Sequence, residues 1–210
     1  VLLYDAGKDS TNLRAELGKL DFSVSDVSQN ADDFKSTFAK GFDVVIVHAA
    51  GAGFQLTDAE INSTLQPFLQ NGGMVLVAGY GAIPLDKWFG ANAAVQWSGW
   101  KINTVRKSTF SLDGNWQHQP NDLSNVIKNG VTPSSGFQPL SDSWQVLAKL
   151  RMEDGDEMPY LLRTKIGKGT LILTGSNLGY GGGFEMFGSM NPGNAAKLVD
   201  NLLAQTREEK

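Results

Sequence analysis

Short, fully apolar, β-branched runs separated by helix-length segments constrain this chain more than anything else in it. Phe42 to Val47, with Val44-Val45-Ile46-Val47 at its centre, and Met74 to Ala78 both read as strands buried on two faces. Between them, Thr57-Asp58-Ala59-Glu60 forms a capping box, in which the Thr oxygen takes the Glu60 N–H and the Glu60 carboxylate reaches back. Ile61, Leu65, Phe68 and Leu69 give that helix one apolar face, and Gly72-Gly73 ends it. A strand, a helix and a second strand in this order need a crossover connection, which makes the pairing parallel and right-handed.

The same alternation precedes it. Val1 to Tyr4 is a buried strand stopped by Asp5-Ala6-Gly7, and Leu13, Leu17 and Leu20 follow at helical spacing with Ser10 or Thr11 as cap. Phe22 to Val27 alternates as a half-buried strand, and Asn30 caps a short helix carrying Phe34 and Phe38. The expected fold is therefore α/β, a doubly wound, mainly parallel, flavodoxin-like sheet flanked by helices, in a single domain spanning residues 1–210. Residues 90 to 145 lose the periodicity and read as an insertion of short strands and loops over one end of the sheet. Trp144 to Met152 and Pro159 to Ile166 are strand-like and joined by the acidic turn Glu153 to Glu157, an antiparallel hairpin. Thr170 to Thr174 is a further strand after the turn at Gly167-Lys168-Gly169, and Asn191-Pro192 opens the last helix, packed by Val199, Leu202 and Leu203.

Composition removes whole classes of function. The 210 residues include no cysteine, so disulfides, thiolate metal sites and thiol nucleophiles are all excluded. Two histidines, His48 and His118, are too few for a histidine-rich metal centre, and neither metal nor cofactor is expected. A net charge of −4 argues against a nucleic-acid partner. No apolar run is long enough to span a membrane. The first residue is Val1 rather than Met, which suggests a trimmed or processed chain. Low charge with frequent Trp, Asn and Gly has the flavour of an exported, extracytoplasmic bacterial protein. Asn62-Ser63-Thr64 matches the glycosylation acceptor pattern.

In an open α/β sheet, ligands bind beyond the carboxyl ends of the strands. The residues delivered there are Asp5 and Gly7, His48 through Gly53, Gly79-Tyr80-Gly81, and Ser176 through Gly183. Gly51-Ala52-Gly53 and Gly79-Tyr80-Gly81 are only fragments of a dinucleotide fingerprint, and neither a P-loop nor a G-x-S-x-G elbow is present. The acidic turn at Asp154, Asp156 and Glu157 lacks the regular spacing of a calcium loop. His48 would serve as a general base oriented by Asp5 if the first and third strands were neighbours. Trp97 and Trp100 in W-S-G-W, with Trp88, Trp116 and Trp144, offer flat amphipathic surface for a sugar ring or a protein partner, or else fill the core of the insertion.

The strand F-D-V-V-I-V-H, the capped helix L-T-D-A-E-I-N-S-T-L-Q-P-F-L-Q-N-G-G, the strand M-V-L-V-A-G-Y-G and the late I-G-K-G-T-L-I-L-T-G-S-N-L-G together resemble the class I glutamine amidotransferase-like superfamily. More narrowly, they resemble its trehalose-utilisation-type and glycosidase-associated members, over residues 1–89 and about 159–205. The resemblance implies a nucleophilic cysteine on the turn after Met74–Ala78 and a histidine with an acid after the last strand. Here that turn holds Tyr80, and Gly175-Ser176-Asn177-Leu178-Gly179 contains no histidine. A phenol with an ordinary pKa near 10 does not replace a thiolate.

Two function classes follow. One is a non-catalytic module for assembly or ligand recognition within a larger carbohydrate-related protein, partnered by other domains or subunits, by a second copy, or by carbohydrate. Its candidate ligand-binding residues are Gly51, Gly53, Tyr80, Trp97, Trp100, Asn177 and Tyr180. The other is a hydrolase of a sugar or small polar substrate, drawing on His48, Asp5, Tyr80 and Glu185.

Overall fold

A computed structural model of the chain describes residues 1–5, 11–28, 30–48, 55–79, 83–101, 105–110, 134–152, 157–175, 177–178, 189–190 and 192–208. Its elements run β1 (Leu2–Asp5), α1 (Thr11–Gly18), β2 (Ser25–Ser28), α2 (Ala31–Phe38), β3 (Val44–His48), α3 (Asp58–Gln70), β4 (Met74–Ala78) and α4 (Leu85–Phe89). They continue with β5 (Val95–Lys101), β6 (Val105–Phe110), β7 (Ser134–Pro139), β8 (Gln145–Met152), β9 (Glu157–Ile166), β10 (Gly169–Thr174), β11 (Asn177–Leu178), β12 (Ser189–Met190) and α5 (Pro192–Glu208).

The apolar runs become the middle of one eight-stranded sheet in the order β2-β1-β3-β4-β10-β9-β8-β6. The first five strands in that order pair in parallel, and β10-β9, β9-β8 and β8-β6 pair antiparallel. Every residue of β3 and β4 is buried, as strands sandwiched between helices require. One core cluster joins Leu3, Val44, Ile46 and Ile172 to Leu13 and Leu17 of α1 and to Ala195, Val199 and Leu202 of α5. The other joins Leu2, Val45, Val47 and Leu173 to Phe34 of α2, Ile61, Leu65 and Leu69 of α3, and Trp88 of α4. Helices on both faces make the sheet doubly wound.

The local signals act as expected in α2 and α3. Asn30 accepts from the N–H groups of Asp32 and Asp33, at 2.9 and 3.3 Å. Both arms of the Thr57/Glu60 capping box form, and Gly72 leaves α3 with a φ of 101°.

Two expectations are corrected. The strand placed at Phe22 to Val27 begins only at Ser25, because Phe22 packs from the connecting turn onto the α1/α5 core. The 90–145 segment does not simply cap one end of the sheet. Its β6 joins the main sheet beside β8, while β5 and β7 form a separate antiparallel ribbon. That ribbon lies on the face of α2 and α3, where Phe137 is fully buried in the second cluster.

Candidate functional site

The chain leaves β1 for β2 on one side and returns to place β3 on the other, so strand order reverses between β1 and β3. In doubly wound sheets the carboxyl edge at such a reversal is where ligands bind. The residues at that edge are Asp5 and His48, and they stand opposite one another in register. The condition set by the sequence, that these strands be neighbours, is met.

The register continues across the sheet. His48 pairs with Ala78, Ala78 with Thr174, and Thr174 with Leu161. Strand residues alternate between faces, so His48, two positions after Ile46, shares the α1/α5 side with Ile46, and Thr174 shares it with Ile172. His48 is 3% exposed and Thr174 is fully buried. The carboxyl edge therefore carries two buried polar side chains on one face, with a small alanine between them. The strand ends are tied together by the backbone: Gly79 N–H donates to the Thr174 carbonyl at 3.1 Å and Gly175 N–H to the Tyr160 carbonyl at 2.9 Å.

Next to Asp5, Tyr4 faces the opposite side. Its ring meets Phe34 edge-on at 5.2 Å, and its phenolic oxygen accepts from Gln55 N–H at 3.4 Å, which anchors the chain as it enters α3. Burial pushes the Tyr4 phenol above its ordinary range, so it stays protonated and structural.

Of the other candidates, Trp97 on β5 is half-buried and packs against the second core cluster, with Phe137 as its cross-strand partner. Trp97 therefore offers less open surface than a free platform would. Trp88 and Trp144 are core residues, and Trp88 Nε1–H donates to Asp58 Oδ1 at 2.7 Å. Trp100 lies on β5 and Asn177 on β11, placed by their backbones. Gly51, Gly53, Tyr80, Tyr180, Glu185, Trp116 and His118 lie outside the described residues. Among the described residues no group of three or more His, Asp or Glu gathers as metal ligands, and no helix is long and apolar enough to cross a membrane. A 590 Å³ cavity lined by Val1, Phe22, Phe42 and Asp43 lies at the amino edge of the sheet, opposite this site.

One residue at the carboxyl edge escaped the sequence reading. Thr174 closes the run Thr170 to Thr174 and reads there as the end of a buried apolar strand.

No family model and no curated protein matches the chain. Solved structures do. A β-galactosidase from Bacillus circulans sp. alkalophilus aligns over 98% of this chain and 31% of its own, with 12% identity and a TM-score of 0.54. A GH42 β-galactosidase from G. stearothermophilus aligns over 98% of this chain and 29% of its own, with 11% identity and a TM-score of 0.57. A Thermoplasma acidophilum protein described as a GMP synthase subunit matches over the whole of this chain and 96% of its own, with 12% identity and a TM-score of 0.50. The chain spans about 30% of the β-galactosidase chains it matches. At these identities the likeness is one of fold: a doubly wound α/β sheet that also occurs within β-galactosidase chains.

Proposed function

We propose that this chain is a non-catalytic module of the amidotransferase-like fold, serving assembly or ligand recognition within a larger carbohydrate-processing protein outside the bacterial cytoplasm. The observation that carries the reading is chemical. The chain has no cysteine at all, and the turn after β4 is Gly79-Tyr80-Gly81 in sequence. Glutamine hydrolysis by this fold family needs a thiolate there, and a tyrosine hydroxyl attacks an amide far too poorly to replace it. The β-galactosidase neighbours, in which the matched region is under a third of the chain, support the carbohydrate setting.

A second reading is favoured by one observation, the register of Asp5 against His48 at the strand-order reversal. A buried histidine beside an acid suits general base chemistry on a sugar or small polar substrate. Assays of the purified chain separate the two. The module reading expects no ammonia from glutamine, no release from nitrophenyl glycosides, and no change in either on His48→Ala. Turnover that His48→Ala abolishes would establish the enzyme reading instead, and ammonia release from glutamine would refute the module outright.

A further inference from the structure

Asn71 closes α3 as its C-cap, and Gly72 and Gly73 follow it. Asn71 is exposed, and the glycine after it has no Cβ to shield its backbone nitrogen. In such a pair the Gly72 nitrogen can attack Cγ of the Asn71 carboxamide. The nitrogen gives up its proton, the N–Cγ bond forms, the bond from Cγ to the side-chain amide nitrogen breaks, and ammonia leaves with that proton. Water then opens the five-membered imide at one carbonyl to give aspartate, or at the other to give isoaspartate.

The fold keeps the reacting atoms out of position. Ring closure needs Cβ of Asn71 and the Gly72 nitrogen to eclipse one another about the Cα–C bond. At the Asn71 ψ of 3° its own backbone nitrogen is eclipsed instead, and Cβ stands a third of a turn away. The Gly72 N–H is also committed to the Leu69 carbonyl at 3.0 Å, and the Gly73 N–H to the Phe68 carbonyl at 3.0 Å. The β9–β10 turn holds this helix end in place. Lys168 N–H donates to the Gln70 carbonyl at 3.4 Å and Thr170 N–H to the Gly73 carbonyl at 3.0 Å, while Gly169 has no room for a Cβ beside the Leu69 and Gly73 carbonyl oxygens. We propose that Asn71-Gly72 is a latent deamidation site, locked by the seating of α3 on the β9–β10 turn and released only when that contact opens. The product works against reseating. A new carboxylate lies at the negative end of the helix dipole, and isoaspartate adds a methylene to the main chain just before Gly73 is gripped.

Peptide mapping by mass spectrometry tests this on the full chain, incubated in mildly alkaline buffer either folded or in urea. Asn71 should convert readily in urea and roughly tenfold or more slowly in the folded chain. The opening that frees the Gly72 nitrogen also exposes its N–H, so the slowing should match the hydrogen-exchange protection of that amide within about threefold. Gly169→Ala, which crowds the contact, should speed conversion in the folded chain severalfold. If that variant does not fold, the wild-type comparison with hydrogen exchange still decides. Folded-state conversion as fast as in urea would show that the seating locks nothing, and slow conversion in both would show that Asn71 is no deamidation site. A slowing far from the protection of the amide, or a folded Gly169→Ala chain that converts at the wild-type rate, would put the lock elsewhere. Each of these results overturns the proposal.

Discussion

Glu60 shows how much one partly exposed side chain can be asked to do. Its carboxylate accepts from the Lys35 ammonium at 2.7 Å, from the Thr57 N–H at 2.8 Å and from the Thr57 hydroxyl at 3.0 Å. These bonds, that from Lys35 foremost, bring its pKa down from 4.5 to about 2. A carboxyl whose folded pKa is depressed stabilises the fold above its unfolded pKa and loses that contribution as pH falls towards the folded value. The window is thus about pH 4.5 down to 2. Glu60→Gln keeps a capping acceptor but loses the charge. The difference in thermal midpoint between wild type and this variant should shrink steadily across that window, and a constant difference would contradict the assignment. Asn62 is another residue whose surroundings decide its fate. It lies inside α3, and its side-chain amide donates to the Lys87 carbonyl at 3.1 Å. The atom a glycan would occupy is already bonded within a helix, so the matching tripeptide should stay unmodified. Mass spectrometry of protein secreted from a glycosylating host should find Asn62 bare.

Among the elements, the β9–β10 turn owes its glycines to close approach as much as to dihedral freedom. Gly167 adopts a φ of 61°, and Lys168 N–H reaches the Gln70 carbonyl at the end of α3. A Cβ built at Gly169 would collide with the carbonyl oxygens of Leu69 and Gly73, which are backbone and cannot swing aside. Gly169→Ala should therefore cost more than about 2 kcal/mol in denaturant unfolding, and a loss within ~0.5 kcal/mol would show that α3 and β10 separate easily. The sequence disclosed this turn, but as a turn only, because the helix end that presses on it is a hundred residues away. Helices α2 and α3 and strands β3 and β4 were legible for the opposite reason: their caps and apolar runs are local. The pairing of β6 with β8, and the separation of the β5/β7 ribbon, are decided by distant partners. The site divides in the same way. His48 and Asp5 were visible as strand-end residues, but their juxtaposition depended on strand order, and Thr174 was concealed by its apolar neighbours.

At the scale of the whole molecule, the question is whether the parallel and antiparallel halves of the sheet are one cooperative unit. Each core cluster draws on both. The first unites Leu3 and Ile46 with Leu147, Met158 and Tyr160, and the second unites Leu2 and Val45 with Phe137, Trp144 and Leu162. The seam between the halves is β10, which is fully buried and pairs in parallel with β4 and antiparallel with β9. Opening that seam would expose both clusters at once, so neither half has a core of its own to retreat to. Unfolding followed by far-UV circular dichroism, which weights the helices, should coincide with unfolding followed by tryptophan fluorescence, to which the buried Trp88 and Trp144 contribute. Phe137→Ala, in the ribbon, should shift both transitions together and by the same amount, at a cost of about 3–5 kcal/mol. If the fluorescence transition moved alone, the ribbon and the antiparallel strands would form a separate folding unit, and a single domain spanning the chain would no longer be tenable.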